Sequence, residues 1–260
     1  IKKNIMYRIY MKKYLITGIT GFAGPHLANL LVNNGHHVSG LIRRTNGMEA
    51  DILDTVDQGV FDSIEFLKGD LTNYQSLNKI FREYNFDGIF HLAAQSHPPT
   101  SFDDPIGTFE TNIIGSANLI EAVISNQPEC KFMFCSTSEV YGNVGMDGRK
   151  IHWEDLLMPS NPYGASKAAT DLYLQERFNN NFIKGFITRA FSHTGPRRGK
   201  NFSISSDAYQ IAKMKLGLQD KNLLVGNLST TRVVMDVRDT VNAYYLAMIN
   251  PKVENEIFNV

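Results

Sequence analysis

The feature that most constrains this chain is the run Gly18-Ile-Thr-Gly21-Phe-Ala-Gly24, set between a short apolar segment, Tyr14–Thr17, and an amphipathic one, Pro25–Asn33. Glycine tolerates the sharp turn that leads from a strand straight into a helix, and its missing side chain lets another group come close to the backbone. The helix that follows opens with unpaired N–H groups and the positive end of its dipole, which suits a phosphate. The spacing G-x-x-G-x-x-G differs from the more usual G-x-G-x-x-G, and a triplet alone also fits an ordinary turn. Its place after a strand and before a helix favours a dinucleotide fingerprint.

The remainder alternates in the same way. Apolar runs predict strands over His37–Ile42, Ile64–Lys68, Gly88–Leu92, Lys131–Ser136 and Lys184–Arg189. Between them, Asn73–Tyr84 places Leu77, Ile80, Phe81 and Tyr84 on one helical face, and Ile106–Asn126 and Pro162–Arg177 read as long helices. Asn34-Gly35 is a helix stop. Met133, Phe134 and Ile113 are expected in the core. Strands separated by helices predict an α/β fold with a doubly wound parallel sheet of Rossmann type. Three long connections, Arg44–Ser63, Tyr141–Asn161 and Thr194–Ser206, are expected to serve function rather than simply to join elements.

Composition removes several classes of function. Lys and Arg together number 26, as do Asp and Glu, so no net charge draws the chain to nucleic acid or a membrane surface. Two cysteines, Cys130 and Cys135, are too few for a disulfide framework and are expected to be reduced thiols in a cytoplasmic protein. No apolar run is long enough to span a bilayer. His91 and His193 lack the neighbouring spacing of a metal site, so no metal is expected. Residues 1–10 carry three basic residues without a signal-peptide pattern and are read as an extension, with Met11 opening the first strand.

Two further patterns carry chemistry. The second strand ends in Arg43-Arg44, where NAD-binding proteins place an acidic residue on the ribose 2′-hydroxyl. A guanidinium fits a 2′-phosphate instead, so NADP is the expected cofactor, against the alternative of a solvated basic loop. Tyr163 and Lys167 lie at i and i+4, on one face of a helix. An ammonium near a phenol should lower its ordinary pKa of about 10 and make it a proton-transfer group. Thr137 follows the preceding predicted strand, 26 residues before Tyr163, and the combination is far more specific than Y-x-x-x-K alone. Arg197, Arg198 and Arg232 could pair with a diphosphate, or could lie in a solvated loop.

Together these motifs resemble the extended short-chain dehydrogenases/reductases. Asp70-Leu71, the run His91-Leu92-Ala93-Ala94-Gln95-Ser96, and Asn112 extend the likeness from about residue 13 to the end. Within that family the chain is most similar to the GDP-mannose 4,6-dehydratases, through TGITG, Arg43-Arg44, AAQSH, STSE-x-YG, PRRG-x-NF at 196–202 and GNL at 226–228. It is next most similar to the GDP-6-deoxy-mannose reductases. It departs at Phe191-Ser192-His193-Thr194-Gly195, where the dehydratases have Phe-Asn-His-Glu-Ser, and at Ser205-Ser206, where they have Arg-Lys. Those departures leave the sugar and the nucleotide open.

The resemblance implies the following assignments. Thr137, Glu139, Tyr163 and Lys167 are catalytic, with Glu139 serving acid–base work at C5 of the sugar, against the alternative of a substrate-binding or structural glutamate, since the reductases also carry Glu here. Gly18, Thr20, Gly21, Gly24, Arg43 and Arg44 hold the cofactor, with Asp70, Leu71, Ala93, Gln95, Tyr163 and Lys167. Ser96, Ser138, Ser192, Arg197, Arg198 and Arg232 meet a nucleotide-diphosphate sugar such as GDP-mannose. The expected activity is a nucleotide-sugar 4,6-dehydratase with NADP, the alternative an NADPH-dependent 4-reductase or epimerase. Residues 11–190 form the NADP-binding domain, and 191–260 a small, truncated substrate part interleaved with a late Rossmann strand. A homo-oligomer is expected, as is further chain beyond Val260, because family members continue past this point.

Overall fold

A computed structural model describes residues 11–43, 48–229 and 231–260. The N-terminal extension 1–10 and Arg44 lie outside the described residues. The chain builds a seven-stranded, wholly parallel sheet in the order β3-β2-β1-β4-β5-β6-β9. Its strands are β1 (Lys13–Thr17), β2 (His37–Ile42), β3 (Ile64–Lys68), β4 (Gly88–His91), β5 (Lys131–Thr137), β6 (Gly185–Ala190) and, last in sequence, β9 (Glu256–Asn259). The order runs outward one way from β1 and the other way from β4, so the crevice between these two is the topological switch point, where doubly wound sheets bind ligands.

Residue alternation explains the two-sided burial. Tyr14, Ile16 and Met133 belong to one apolar cluster, whereas Leu15, Phe132 and Phe134 belong to the other. The first cluster is covered by α1 (Ala23–Asn33) and α9 (Val237–Ile249). The second is covered by α3 (Tyr74–Glu83), α6 (Gly115–Asn126) and α7 (Pro162–Asn179). The predicted Asn73–Tyr84 helix is trimmed at both ends: Asn73 is its cap, accepting from the Ser76 N–H, and Tyr84 is already extended.

Four expectations are corrected. The stretch Ile106–Asn126 is not one helix. It is preceded by α4 (Pro98–Asp103), starts as α5 (Pro105–Phe109), widens into a π turn over Glu110–Ile114, and only then continues as α6. The extra residue in the π turn brings Asn112 inward, where it bonds both the N–H and C=O of Gln95 at 2.8 and 3.0 Å and the Ser166 hydroxyl at 2.9 Å. Ile113 is consequently half-buried rather than core. The Arg44–Ser63 connection contains a 3₁₀ turn, Met48–Asp54, and α2 (Gln58–Asp62), anchored by buried Ile52, Val56 and Val60. Leu92 follows β4 rather than ending it.

Beyond β6 the chain leaves the main sheet. The strands β7 (Ser192–Thr194) and β8 (Val234–Asp236) pair in parallel as a separate two-stranded sheet, with α8 (Ser203–Lys215) between them in sequence. No side chain of α8 is buried. Among the described residues no helix is long and apolar enough to cross a membrane, and no three His, Cys, Asp or Glu side chains converge on a metal position.

His91, at the end of β4, is fully buried between Thr17 Oγ1 (2.7 Å from Nδ1) and Ser116 Oγ (2.8 Å from Nε2). Thr17 Oγ1 accepts the Ala93 N–H at 3.2 Å, so it can donate to Nδ1 and leave the ring proton on Nε2 for Ser116. Burial first, then the Lys167 charge, holds His91 down at about 3 against an ordinary 6.5. The unfolded chain therefore binds one more proton than the folded one between these values. His91 contributes stability that is complete above 6.5 and is lost as pH falls toward 3, at up to about 1.4 kcal/mol per pH unit. Urea unfolding of the wild type and His91→Gln across that range should show a steeper acid loss in the wild type. Equal slopes would contradict the buried neutral imidazole.

Candidate active site

The site forms where β1, β4 and β5 end. Gly18 has φ +74°, and a Cβ there would stand 2.8 Å from the Ala93 nitrogen across the switch-point crevice. A Cβ on Gly24 would stand 2.4 Å from the Gly18 oxygen, so the start of α1 can close on the strand only with glycine there. Gly21 donates back to the Gly18 carbonyl at 2.9 Å. Phe22 precedes α1 without a side-chain cap, and the first turn of α1 carries no acidic residue. The result is a cradle of backbone N–H groups with no competing carboxylate, the arrangement that holds a pyrophosphate.

At the end of β5 the backbone turns into a short 3₁₀ segment, Ser138–Tyr141. Thr137 Oγ1 accepts the Glu139 N–H at 3.3 Å, and Glu139 Oε2 accepts from the Asn161 side-chain amide at 2.9 Å. The helix α7 begins beside this turn. Ser101 accepts the Tyr163 N–H at 3.1 Å and Asn161 Oδ1 accepts the Gly164 N–H at 2.7 Å. Tyr163 and Lys167, one turn apart, are both buried. The Lys167 ammonium lies 4.1 Å from the centre of the Phe134 ring, and burial draws it down to about 8. Burial also drives the Tyr163 phenol above its ordinary value, with Cys135 and Glu139 adding to the rise and Thr137 and Arg198 opposing it. The expected lowering of the phenol is therefore not found: desolvation outweighs the Thr137 hydrogen bond and the Arg198 charge that oppose it.

These groups face one cavity of about 410 Å³. Thr137, Glu139, Tyr163 and Lys167 all line it, as do Gly18, Gly21, Gly24 and Ala93. Ser96, Ser138, Ser192, Arg198 and Arg232 line it too, the last three from the segment beyond β6. The β7–β8 pairing sets Ser192 opposite Val234 and so brings Arg232 to the rim. Arg198 is sandwiched, its guanidinium 3.4 Å from the Phe202 ring centre and 4.7 Å from that of Phe22. Phe22, His193, Phe202 and Cys135 line the cavity without a site role assigned from the sequence, although Phe22 stands inside the glycine triplet. His193 stacks on Phe22 at 5.8 Å.

Six assigned residues stand apart from this lining. Thr20 lies within the glycine turn. Arg43 is exposed at the end of β2, and Asp70 follows β3, its carboxylate accepting from the Thr72 N–H and hydroxyl at 2.9 and 2.8 Å. Both follow the carboxyl ends of strands on the β2–β3 side of β1. Leu71 is core, and its carbonyl accepts from Asn118. Gln95 holds its own loop, donating to Thr108 and accepting from the His97 N–H. Arg197 turns toward the Gly21 carbonyl (3.4 Å) and Asp54 (3.8 Å).

A family-wide profile described as GDP-mannose 4,6 dehydratase matches residues 15–260. A GDP-6-deoxy-D-mannose reductase of Pseudomonas aeruginosa is 32% identical over 250 residues, covering 96% of this chain and 74% of its own. A GDP-mannose 4,6-dehydratase of Yersinia enterocolitica is 33% identical over 248 residues, covering 92% of this chain and 64% of its own. The chain thus spans less than two thirds of that dehydratase's length. Among solved structures, RMD from Pseudomonas aeruginosa complexed with NADPH superposes with a TM-score of 0.80 at 29% identity, over 96% of this chain and 77% of that one.

Proposed function

The chain belongs to the GDP-mannose 4,6-dehydratase family, and from that premise we propose that it is a nucleotide-sugar 4,6-dehydratase acting with NADP. The observation that carries this reading is the convergence on one cavity of a glycine cradle, a Tyr–Lys pair and a carboxylate. Glu139 lies beside Tyr163 rather than elsewhere on the wall, because α7 packs directly on the turn that bears it.

The cradle would hold the cofactor pyrophosphate at Gly18, Gly21 and Gly24, with Ala93, Thr20 and Gln95 bordering it and Asp70 and Leu71 toward the adenosine end. When bound, the nicotinamide supplies a reversible hydride acceptor for C4 and donor for C6. Tyr163 would take the C4 hydroxyl proton as its phenolate, a form that the Lys167 ammonium and a bound, positively charged nicotinamide favour against the burial that raises the phenol, with Thr137 sharing its hydrogen bond. Glu139 takes the C5 proton. The C5–H and C6–O bonds break, a C5=C6 double bond forms, and the same carboxyl protonates the departing hydroxyl, which leaves as water; when C6 receives its hydride, C5 regains a proton from solvent through Glu139. Arg198 and Arg232 meet the diphosphate of the substrate, and Ser96, Ser138 and Ser192 its hydroxyl and phosphate oxygens. Arg197 braces the glycine turn from outside. The segment from β7 through β8 serves as the substrate side of the site, and the NADP-binding unit is 11–190.

Arg43 is the described half of the proposed 2′-phosphate clamp. Titrating NADP and NAD against the wild type and Arg43→Ala/Arg44→Ala should show NADP binding more tightly to the wild type. The preference should fall by on the order of 10-fold or more in the variant, the scale of losing a charged hydrogen bond worth about 1.5–3 kcal/mol. Equal affinity of the wild type for both cofactors would reject the NADP assignment. A reductase is the second reading, favoured by the reductase relative covered to 74% of its length. Net NADPH consumption during turnover distinguishes it.

A further inference from the structure

We propose that Asn161 is a positioning residue for the elimination, holding the Glu139 carboxylate in register with Tyr163. The proposal rests on the acid–base role given to Glu139 above. Its ground is one side chain that touches two catalytic elements at once. Asn161 is the N-cap of α7, with extended backbone at φ −147° and ψ 161°, and its Oδ1 accepts the Gly164 N–H at 2.7 Å. The other end of the same amide, Nδ2, donates to Glu139 Oε2 at 2.9 Å. An N–H on one side and a carboxylate on the other fix which way the amide points.

The neighbouring contacts hold the backbone that carries this carboxylate. A Cβ on Gly164 would stand 2.6 Å from the Glu139 carbonyl oxygen, so glycine lets the first turn of α7 press on the turn that carries Glu139. The Glu139 N–H is held by Thr137 Oγ1, and Pro162 follows Asn161 directly, stiffening the start of the helix. Backbone and carboxylate are each anchored, and both anchors lead to residues adjoining Tyr163 and Thr137. A serine at 161 could cap the helix equally well. Its hydroxyl is too short to span from the Gly164 N–H to the Glu139 carboxylate. An aspartate could cap as well, but would set a second carboxylate against the first. Capping alone therefore does not call for asparagine, whereas the bridge to Glu139 does.

The test uses the full-length protein with GDP-mannose and NADP, comparing Asn161→Ser, Asn161→Asp, Glu139→Gln and the double variant Glu139→Gln/Asn161→Ser. Three quantities are read: thermal midpoint with and without cofactor, C4 oxidation in a single turnover, and deuterium uptake from solvent at C5. Asn161→Ser should keep its thermal midpoint and C4 oxidation close to the wild type while C5 exchange falls on the order of 10- to 100-fold, the scale of misplacing a catalytic group. Asn161→Asp should fall further. In the Glu139→Gln background the serine change should cost nothing more, because both act through one carboxylate. Wild-type C5 exchange in Asn161→Ser beside a loss in Glu139→Gln would overturn this inference alone. A parallel drop in thermal midpoint and C4 oxidation, or full additivity in the double variant, would reduce Asn161 to a helix cap. Unchanged exchange in Glu139→Gln would overturn the role of Glu139 itself, and this inference with it.

Discussion

Tyr163→Phe is expected to lower kcat by about 10² to 10⁴-fold, the range for removal of a positioned proton-transfer group, while the protein still folds and binds its cofactor. The ring is buried at the first turn of α7, and the substitution keeps that packing. What is lost is the hydroxyl that moves the C4 proton. Because the hydroxyl shares a hydrogen bond with Thr137, its loss should lower stability by only about 0.5–1.5 kcal/mol, small beside the loss of rate. Steady-state rates with GDP-mannose, together with cofactor titration, check both halves. Near-normal kcat would assign the proton to another residue.

Glu139→Gln should stop dehydration to a similar degree, about 10²-fold or more, but at a different step. The amide can still accept from Asn161 through its oxygen, so the turn keeps its shape. Tyr163, Lys167 and Thr137 remain, and C4 oxidation should proceed. The C5 proton should then mostly stay in place: reduced nicotinamide accumulates, water release nearly stops, and deuterium uptake at C5 falls to a small but measurable residue. In a simple reductase the carboxylate has no such step, and the variant would lose mainly substrate affinity. Unchanged dehydration and C5 exchange would remove the role given to Glu139.

Much of this architecture is readable from local patterns. The strand, glycine turn and helix at Tyr14–Asn33, the fully buried strands of the sheet centre and the helix that starts at Pro162 each carry their own signal in apolar runs, caps and spacing. The π turn at Glu110–Ile114 is different. Its cause is the polar pocket formed by Gln95 and Ser166, which residues in other parts of the chain supply and no helical period reveals. Helix α9 had a usable signal, since Val237, Val241, Tyr244, Tyr245 and Met248 recur at helical spacing, yet it starts directly on the three-residue strand β8, whose last residue, Asp236, is also its cap. At the site, the Tyr163–Lys167 pair shows its face by period alone. Burial was the hidden variable: Tyr163 is raised by desolvation, which the sequence spacing does not encode. Arg197 and Arg198 are adjacent and look alike in sequence. The left-handed backbone at Arg197 (φ 69°) sends them apart, one to the Gly21 carbonyl and one into the cavity.

The most direct test of the account is to incubate the full-length protein with GDP-mannose and NADP and to follow product mass and cofactor together. A dehydratase should release a sugar nucleotide lighter by one water, a 4-keto-6-deoxy product, with cofactor redox state the same at the end as at the start. Persistence of GDP-mannose in that assay, with NADPH consumed when a 4-keto-6-deoxy sugar nucleotide is offered instead, would contradict it and identify a reductase.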